Sequence, residues 1–278
     1  MTARIVYSDL DGTMVGPGGS FFAAMDRSPT DEPARALLEL HRAGVPLVLV
    51  SGRTRAQLVE AAGIFGADGY VAELGALVGW NSHRDSEVLP GTMPAQHAGR
   101  LPLEVIVSAG LPERMFARWP GRLQWHAPWH ATHEADAMLR GRVDVAEVEA
   151  WLDAEGWGWL RMRDNGVVSW RKGFPGLDPE VLPPHVYHLM PDGLSKGAAV
   201  AWDLRRRGLS AADAVAVGDS ASDLTMAPRV GRMWVVANGM AAPGMPALVE
   251  GLTAAGHDVR AAAGEVGLGW AEAVRSAL

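Results

Sequence analysis

The chain has 278 residues, of which 48% are hydrophobic and 21% are charged, and its formal net charge is −7. This composition is typical of a globular protein of one or two domains with a sizeable core. The acidic balance argues against nucleic acid or an anionic membrane as a partner, and the lack of cysteine excludes disulfides and thiolate sites. The chain has neither a signal-peptide pattern nor an apolar run of the ~20 residues that a membrane span requires, so we expect a cytoplasmic protein.

The first part of the chain alternates short apolar runs with helical patterns. Residues 4–8 and 46–52 read as buried strands, and helix start and stop signals flank residues 30–44. Residues 54–66 suit a second helix, and residues 68–80 read as strand, turn and strand. Alternation at this spacing predicts a parallel α/β sheet that is covered on both faces.

The pattern changes between residues 82 and 187, where proline and tryptophan become frequent. Here we predict a helix followed by a hairpin, with its turn at Asn165-Gly166. The α/β alternation then returns with a helix at residues 195–208. We therefore predict a core domain formed by residues 1–81 and 188–278, with a small α+β domain of residues 82–187 inserted into it.

Polar residues stand where the predicted core strands end or where a helix begins. Taken singly, each is a residue type that is common in turns. The carboxyl ends of parallel strands meet at one edge of a sheet, however, so the side chains would converge there. The set comprises Asp9, Asp11, Ser51, Gly52, Lys196, Asp219 and Asp223. Four carboxylates at one edge would repel each other, and Mg²⁺, which binds carboxylates, waters and phosphate oxygens, would remove that cost.

Lysine is rare in this chain, which has only Lys172 and Lys196. Lys196 stands near the predicted start of a helix, where a cation opposes the helix dipole. An anion shared by the lysine and the helix terminus would remove this conflict. Lys196 is therefore a candidate anion-binding residue.

The four segments together resemble the motifs of the haloacid dehalogenase superfamily of phosphohydrolases. They read VYSDLDGT at residues 6–13, VLVSGRT at 48–54, LSKGAAV at 194–200 and VGDSASDLTMA at 217–227. The insert lies between the second and third motifs, as does the C2-type cap of the Cof-like (subclass IIB) branch, which includes sucrose-phosphate and mannosyl-3-phosphoglycerate phosphatases. The resemblance implies a Rossmann-like parallel-sheet core with an inserted α+β cap domain.

The resemblance also implies a Mg²⁺-dependent phosphomonoester hydrolase. Asp9 would be the nucleophile that forms an aspartyl-phosphate, and Asp11 would be the general acid and then the general base. Mg²⁺ would be held by the Asp9 carboxylate, the Asp11 backbone carbonyl and Asp219, with Asp223 binding directly or through water. The phosphoryl group would be bound by Ser51, Gly52, Gly12 and Lys196. ATPases of the superfamily have Thr in place of Asp11, so this residue favours a phosphatase.

Two residues depart from the family pattern. Leu74 replaces the Asn of a common E-N-G-A segment, and Ser222 replaces the Asn that often precedes the final Asp. Neither change removes a catalytic carboxylate. Ser222 puts the hydrogen bonding around Asp223 in question.

The predicted cap supplies the candidates for substrate recognition. Glu134, Asp136 and Arg140 stand where sugar-phosphate phosphatases of this branch carry polar recognition residues. The resemblance therefore favours a small phosphorylated metabolite, such as a sugar phosphate or a glycosyl-phosphoglycerate, as the substrate.

Three histidines of the cap, His126, His130 and His133, have spacings that a helical metal site also shows. Pro128 argues against a helix at this point, so we favour a structural role for all three.

Two other function classes stay open. A phosphomutase would carry the same core residues, and a catalytically silent binding protein could retain the fold. We expect a monomer or a homodimer.

Overall fold

A computed structural model describes residues 2–168 and 174–278. The chain divides into two compact units, one of Met1–Glu87 with Ser195–Leu278 and one of Val88–Leu194. These boundaries lie further along the chain than the predicted 81/82 and 187/188. The second boundary moves because the strand His185–Pro191 pairs within the sheet of the second unit.

An eight-stranded sheet forms the centre of the first unit. Its strands are β1 (Ile5–Ser8), β2 (Leu47–Val50), β3 (Gly69–Ala72), β4 (Leu77–Trp80), β5 (Asp85–Val88), β10 (Ala214–Gly218), β11 (Arg232–Val235) and β12 (Val259–Ala261). Their order is β12-β11-β10-β1-β2-β3-β4-β5. All pairs from β12 to β3 are parallel, and β3 pairs with β4 in the antiparallel direction.

Every residue of the three strands β1, β2 and β3 is buried, as a parallel sheet covered on both faces requires. The helices of this unit are α1 (Glu32–Arg42), α2 (Arg55–Phe65), α6 (Lys196–Arg207), α7 (Ala221–Leu224), α8 (Ala237–Met240), α9 (Met245–Ala254) and α10 (Val266–Ala277). The α/β class predicted for the core is confirmed. Within the part of the chain that the structure describes, no helix has the length and apolar character needed to cross a membrane.

The second unit combines a small antiparallel sheet with helices. Its strands are β6 (Leu123–Trp125), β7 (Ala137–Gly141), β8 (Leu160–Val167) and β9 (His185–Pro191), in the order β6-β7-β9-β8. Its helices are α3 (Pro102–Ser108), α4 (Leu111–Arg118) and α5 (Val145–Ala154). Side chains such as Leu139, Leu189 and Leu152 form one apolar cluster between the sheet and these helices.

The hairpin predicted at Asn165-Gly166 is wrong, because β8 runs through both residues to Val167. Asp164 pairs with Tyr187 of β9, and Val167 pairs with His185. The segment of β8 between these pairs is one residue longer than the segment of β9, so β8 forms a β-bulge there. Gly166, at φ +89°, supplies the left-handed conformation, and its amide donates to Asp164 Oδ1 (2.8 Å). The end of the predicted hairpin, Ser169 and Trp170, lies outside the described residues, as does Lys172.

A tight turn after β3 packs against the start of α6. Glu73, Leu74 and Gly75 have φ values of +50°, +56° and +105°. Leu74 therefore occupies the left-handed region, which Asn tolerates better than Leu, and this accounts physically for the Asn of the related segment. A Cβ on Gly75 would lie 2.1 Å from the Ser195 carbonyl oxygen, so only glycine fits.

We expect Gly75→Ala to destabilise the protein by about 2–4 kcal/mol, because it adds both left-handed strain and a backbone clash. Gly63→Ala is the matched control. Gly63 lies inside α2 with open space around it, so alanine there stabilises by up to ~1 kcal/mol. Urea unfolding curves of the two variants measure the difference, and equal stabilities would contradict the turn geometry.

Candidate active site

Candidate residues of the first unit converge at one edge of its sheet. Asp9 follows β1, Ser51 follows β2 and Asp219 follows β10, and these three strands are neighbours in the sheet. Because the strands are parallel, their carboxyl ends lie together, at the edge where open α/β sheets bind ligands. Lys196 reaches the same place as the first residue of α6.

Lys196 joins two of the acids. Its Nζ donates to Asp9 Oδ1 (2.8 Å) and to Asp223 Oδ1 (2.6 Å), and the Lys196 side chain is only 4% exposed. Burial opposes the charge, but Asp223 and Asp9 outweigh it and raise the pKa of Lys196 above its ordinary value. The lysine is therefore a permanent cation of the site.

Asp223 has both carboxylate oxygens engaged. Oδ1 accepts from Lys196, and Oδ2 accepts from the Asp219 amide (3.1 Å), the Ser220 amide (2.9 Å) and the Ser220 hydroxyl (2.7 Å). A carboxylate held in this way fixes the backbone of the acidic loop. Ser222, which departs from the family pattern, contacts the Ser220 hydroxyl (2.9 Å) and not the Asp223 carboxylate.

Gly12 lets Asp219 approach the first motif. Gly12 has φ +85°, and a Cβ there would lie 2.3 Å from Asp219 Oδ2. Thr13 Oγ1 donates to Asp219 Oδ1 (3.2 Å). Asn238 Nδ2 donates to the Gly12 carbonyl (2.8 Å), which holds this backbone in place. The structure thus brings a carboxylate against Gly12, where the sequence had suggested room for phosphate.

The acids fit a divalent cation. Ligand atoms of Asp9, Asp219 and Asp223 all lie within 4.8 Å of one another, and Lys196 contacts Asp9 and Asp223. Three carboxylates and one ammonium leave two negative charges uncompensated. Burial and the neighbouring carboxylates, chiefly Asp223, raise the pKa of Asp219 to about 7, and burial likewise raises that of Asp9. A hard dication bound by oxygen ligands balances this charge.

Asp11 stands apart from that cluster. Its side chain is 54% exposed, and Arg53 binds it through two bonds, from Nε to Oδ2 (2.7 Å) and from Nη2 to Oδ1 (2.6 Å). The bond with Asp11 raises the pKa of Arg53. The Asp11 carboxylate is thus compensated by its own arginine and not by Lys196.

Ser51 and Gly52 lie in the loop between β2 and α2. Ser51 is buried, and its Oγ accepts from the Arg53 amide (3.2 Å). The loop ends at Thr54, which forms a capping box with Gln57 at the start of α2. The residues predicted to bind phosphate thus stand on a loop that the helix cap fixes.

The sequence assigned no role to three residues of this site. Arg53 stands inside the VLVSGRT segment beside Ser51, and Thr13 ends the first motif, so both carried a positional signal. Asn238 comes from α8 and bridges the Gly12 carbonyl to the Val266 amide. Nothing local to its sequence indicates this link.

The three candidate substrate residues of the second unit have different surroundings. Asp136 is fully buried, with His133 Nδ1 2.7 Å from Oδ1 and His188 Nδ1 2.7 Å from Oδ2. Arg140 Nη1 donates to the Ala127 carbonyl (2.8 Å), and its guanidinium lies 4.4 Å from the Phe174 ring centroid. Glu134 is partly buried. Substrate recognition by the three stays a prediction.

The histidines His126, His130 and His133 do not share one environment. His130 stacks on Trp125 with ring centroids 4.9 Å apart, whereas His133 contacts Asp136. His126 is buried, and burial, with Arg140 and the neighbouring histidines, lowers its pKa to about 4. Its ring is therefore neutral at neutral pH.

No protein-family model matches the chain. Among curated proteins, the chain is similar to the phosphoglycolate phosphatase of Methanopyrus kandleri, with 26% identity over 229 residues that make up 82% of this chain and 81% of that protein.

Solved structures share the architecture. A haloacid dehalogenase-like hydrolase from Bacteroides thetaiotaomicron superposes with a TM-score of 0.62 at 15% identity, covering 100% of both chains. The sucrose-phosphatase from Synechocystis, solved with sucrose and phosphate, gives a TM-score of 0.62 at 16% identity, covering 99% of this chain and 98% of that one. At these identities the likeness shows the fold.

We expect Asp219→Asn to raise the melting temperature of the metal-free protein at pH 8 and to abolish its stabilisation by Mg²⁺. Above its pKa of about 7 the buried Asp219 carboxylate is charged and repelled by its neighbours, so removing the charge relieves that cost. A gain of ~1 kcal/mol corresponds to about 2–4 °C. In the native chain, Mg²⁺ at 100 times its dissociation constant adds about 2.7 kcal/mol.

Differential scanning calorimetry with and without Mg²⁺ measures both effects. Glu250→Gln, which removes one charge from an exposed position of α9, is the control and leaves both quantities unchanged. A full Mg²⁺ response in Asp219→Asn would contradict the metal cluster.

Proposed function

Since the chain has the fold of the haloacid dehalogenase-like hydrolases, we propose that it is a phosphatase that hydrolyses a small phosphomonoester through an aspartyl-phosphate. The observation that carries the proposal is the arrangement of the first motif. Asp9 is buried with one oxygen bound to Lys196, while Asp11, two residues on, is half-exposed and held by Arg53. This arrangement supports attack by Asp9 and proton transfer by Asp11.

In the first step Asp9 Oδ2 attacks phosphorus, because Oδ1 already accepts from Lys196. The bond from phosphorus to the leaving oxygen breaks, and Asp11 gives that oxygen its proton. Lys196 lowers the negative charge that Asp9 presents to the phosphate. Ser51 Oγ–H and the amides of the loop after β2 are the donors that this chain offers to the phosphoryl oxygens.

In the second step a water oxygen attacks the phosphorus of the aspartyl-phosphate, and Asp11 accepts the proton of the water. The bond from phosphorus to Asp9 breaks, which releases phosphate and regenerates the carboxylate. Arg53 holds the Asp11 carboxylate through two hydrogen bonds, and an ionised carboxylate is the form that a general base requires. For the first step the Arg53–Asp11 contact has to loosen, because a general acid carries a proton.

The oxygen ligands of the acidic cluster select a hard dication, and we infer Mg²⁺. Asp9 and Asp219 would hold it, since both oxygens of Asp223 are already engaged by protein donors. When bound, the ion would neutralise charge on the transferring phosphoryl oxygens.

For the substrate we propose a phosphorylated sugar or a glycosyl-phosphoglycerate. The motif resemblance and the fold likeness to a sucrose-phosphatase support this class. The curated relative from Methanopyrus kandleri favours a second candidate, 2-phosphoglycolate, because that likeness extends over 82% of the chain. Both candidates are small phosphomonoesters with additional polar groups.

Phosphate release from a panel of sugar phosphates, 2-phosphoglycolate, nucleotides and pyridoxal phosphate separates the candidates. We expect kcat/KM for the preferred class to exceed the others by at least tenfold, which is a difference of about 1.4 kcal/mol in transition-state binding. A preference for nucleotides would contradict both proposed substrate classes. Transfer of phosphate to a second hydroxyl without release would indicate a phosphomutase.

We expect the variant Asp11→Asn to release one equivalent of nitrophenolate in a burst from p-nitrophenyl phosphate and then to slow by about 10²–10⁴-fold. Nitrophenolate leaves without needing a proton, so the first step survives, whereas attack by water lacks its base. Stopped-flow absorbance measures the burst, and the phosphorylated protein is detected by mass spectrometry.

Asp9→Asn is the matched variant, with the same chemical change two residues away, and gives no burst and no phosphorylated protein. EDTA removes the turnover of the native chain, and Mg²⁺ restores it. Full activity of Asp9→Asn would overturn the mechanism, and the absence of both phosphoprotein and turnover in the native chain would favour the silent binding protein.

A further inference from the structure

A cluster of two imidazoles and one carboxylate lies inside the second unit. The ligand atoms of His133, Asp136 and His188 all lie within 4.8 Å of one another, and their side chains are 1%, 0% and 0% exposed. A buried carboxylate is costly unless its charge is compensated. In this cluster the compensating partners are residues of the types that bind transition metals.

Regular structure fixes two members of the cluster. His188 lies within β9 and pairs with Met138 of β7, and Asp136 directly precedes β7. His133 directly follows the short turn Trp129–Thr132 and lies three residues before Asp136 in the sequence. The three side chains therefore come from neighbouring positions of one small sheet and the segment that enters it.

Asp136 orients both rings. One of its oxygens lies 2.7 Å from His133 Nδ1, and the other lies 2.7 Å from His188 Nδ1. An ionised carboxylate only accepts, so the hydrogen bond with His188 needs a proton on Nδ1, and a metal ion that displaces this proton would bind Nδ1 and Asp136 together while His188 Nε2 faces away. That nitrogen has a contact of 3.5 Å with Asn165 Nδ2.

His126 supplies a further imidazole. Its amide donates to the Met138 carbonyl, which extends the β6–β7 ladder by one residue, and Met138 pairs in turn with His188. Residues opposite each other in adjacent strands point to the same face, so His126 and His188 share one face of the sheet. His126 is 7% exposed, and its Nδ1 has no hydrogen-bond partner within the ranges that the structure describes.

We propose that His133, Asp136 and His188 bind one Zn²⁺ ion, with His126 as the fourth ligand. Imidazole nitrogen and carboxylate oxygen are ordinary ligands of Zn²⁺, which favours four-coordinate sites. Bonds of ~2.0–2.1 Å in a tetrahedron separate the ligand atoms by about 3.3–3.4 Å. The present separations among the ligand atoms of His133, Asp136 and His188, 2.7 Å up to 4.8 Å, bracket that distance. The His126 ring would have to turn towards these three to complete the site. The ion would tie the segment before β7 to β9.

The test uses the full-length protein, stripped with EDTA and then titrated with Zn²⁺ or Co²⁺ in excess Mg²⁺, which keeps the carboxylate cluster of the first unit filled. We expect one Zn²⁺ per chain and, with Co²⁺, the intense visible absorption bands of a tetrahedral site. X-ray absorption at the zinc edge of the native protein shows imidazole scattering. Oxygen-only coordination, or the absence of binding, overturns the proposal without any variant.

Variants assign the ligands. His188→Gln and Asp136→Asn weaken Zn²⁺ binding at least tenfold and remove the Co²⁺ bands. His185→Gln is the matched control, because His185 lies on the same strand and pairs with Asp164 (2.7 Å) at the surface, and it leaves the affinity unchanged. Circular dichroism identifies variants that fail to fold. If a variant does not fold, the Co²⁺ absorption and zinc-edge spectra of the native protein decide whether the site exists. Unchanged affinity in a folded His188→Gln variant contradicts the site.

Discussion

The buried ammonium of Lys196 is the contact on which the organisation of the first unit's site depends. It bonds at once to Asp9, at the end of β1, and to Asp223, in the loop after β10. A lysine at the first residue of a helix is unfavourable with respect to the helix dipole, and two carboxylates more than offset this. Removing such a lysine would leave two buried carboxylates without their partner, which is far more costly than losing a surface ion pair.

The same contact determines which oxygens are free. One oxygen of Asp223 accepts from Lys196, and the other accepts from the amides and hydroxyl of its own loop, so Asp223 holds the loop after β10 in place. Asp9 keeps one oxygen, and Asp219 has Gly12 and Thr13 beside it. The excess negative charge therefore collects at Asp9 and Asp219. Burial, together with this charge, raises the pKa values of both, and the charge accounts for the fit to a dication.

Much of this organisation could be predicted from the sequence, because local patterns determine it. The buried strands follow from apolar runs, the hydroxyl of Ser195 caps the start of α6, and the fold follows from the order of four motifs. The partnership of Arg53 with Asp11 joins two loops, and no local pattern encodes it. Asn165-Gly166 has a strong local preference for a hairpin turn, but the pairing of β8 with β9 outweighs it, and the two residues form a bulge within β8.

The second unit shows the same limit in its polar residues. The sequence proposed Asp136 as a substrate-recognition residue and gave no sign of its contacts with two histidines in the interior, one of them 52 residues away. The sequence favoured a structural role for His126, His130 and His133, and the ring that joins His133 at Asp136 comes from β9. Donor chemistry then distinguishes the two clusters. Carboxylates beside a lysine favour a hard ion such as Mg²⁺, and imidazoles around one carboxylate favour Zn²⁺, so the two clusters differ in the metal that they favour.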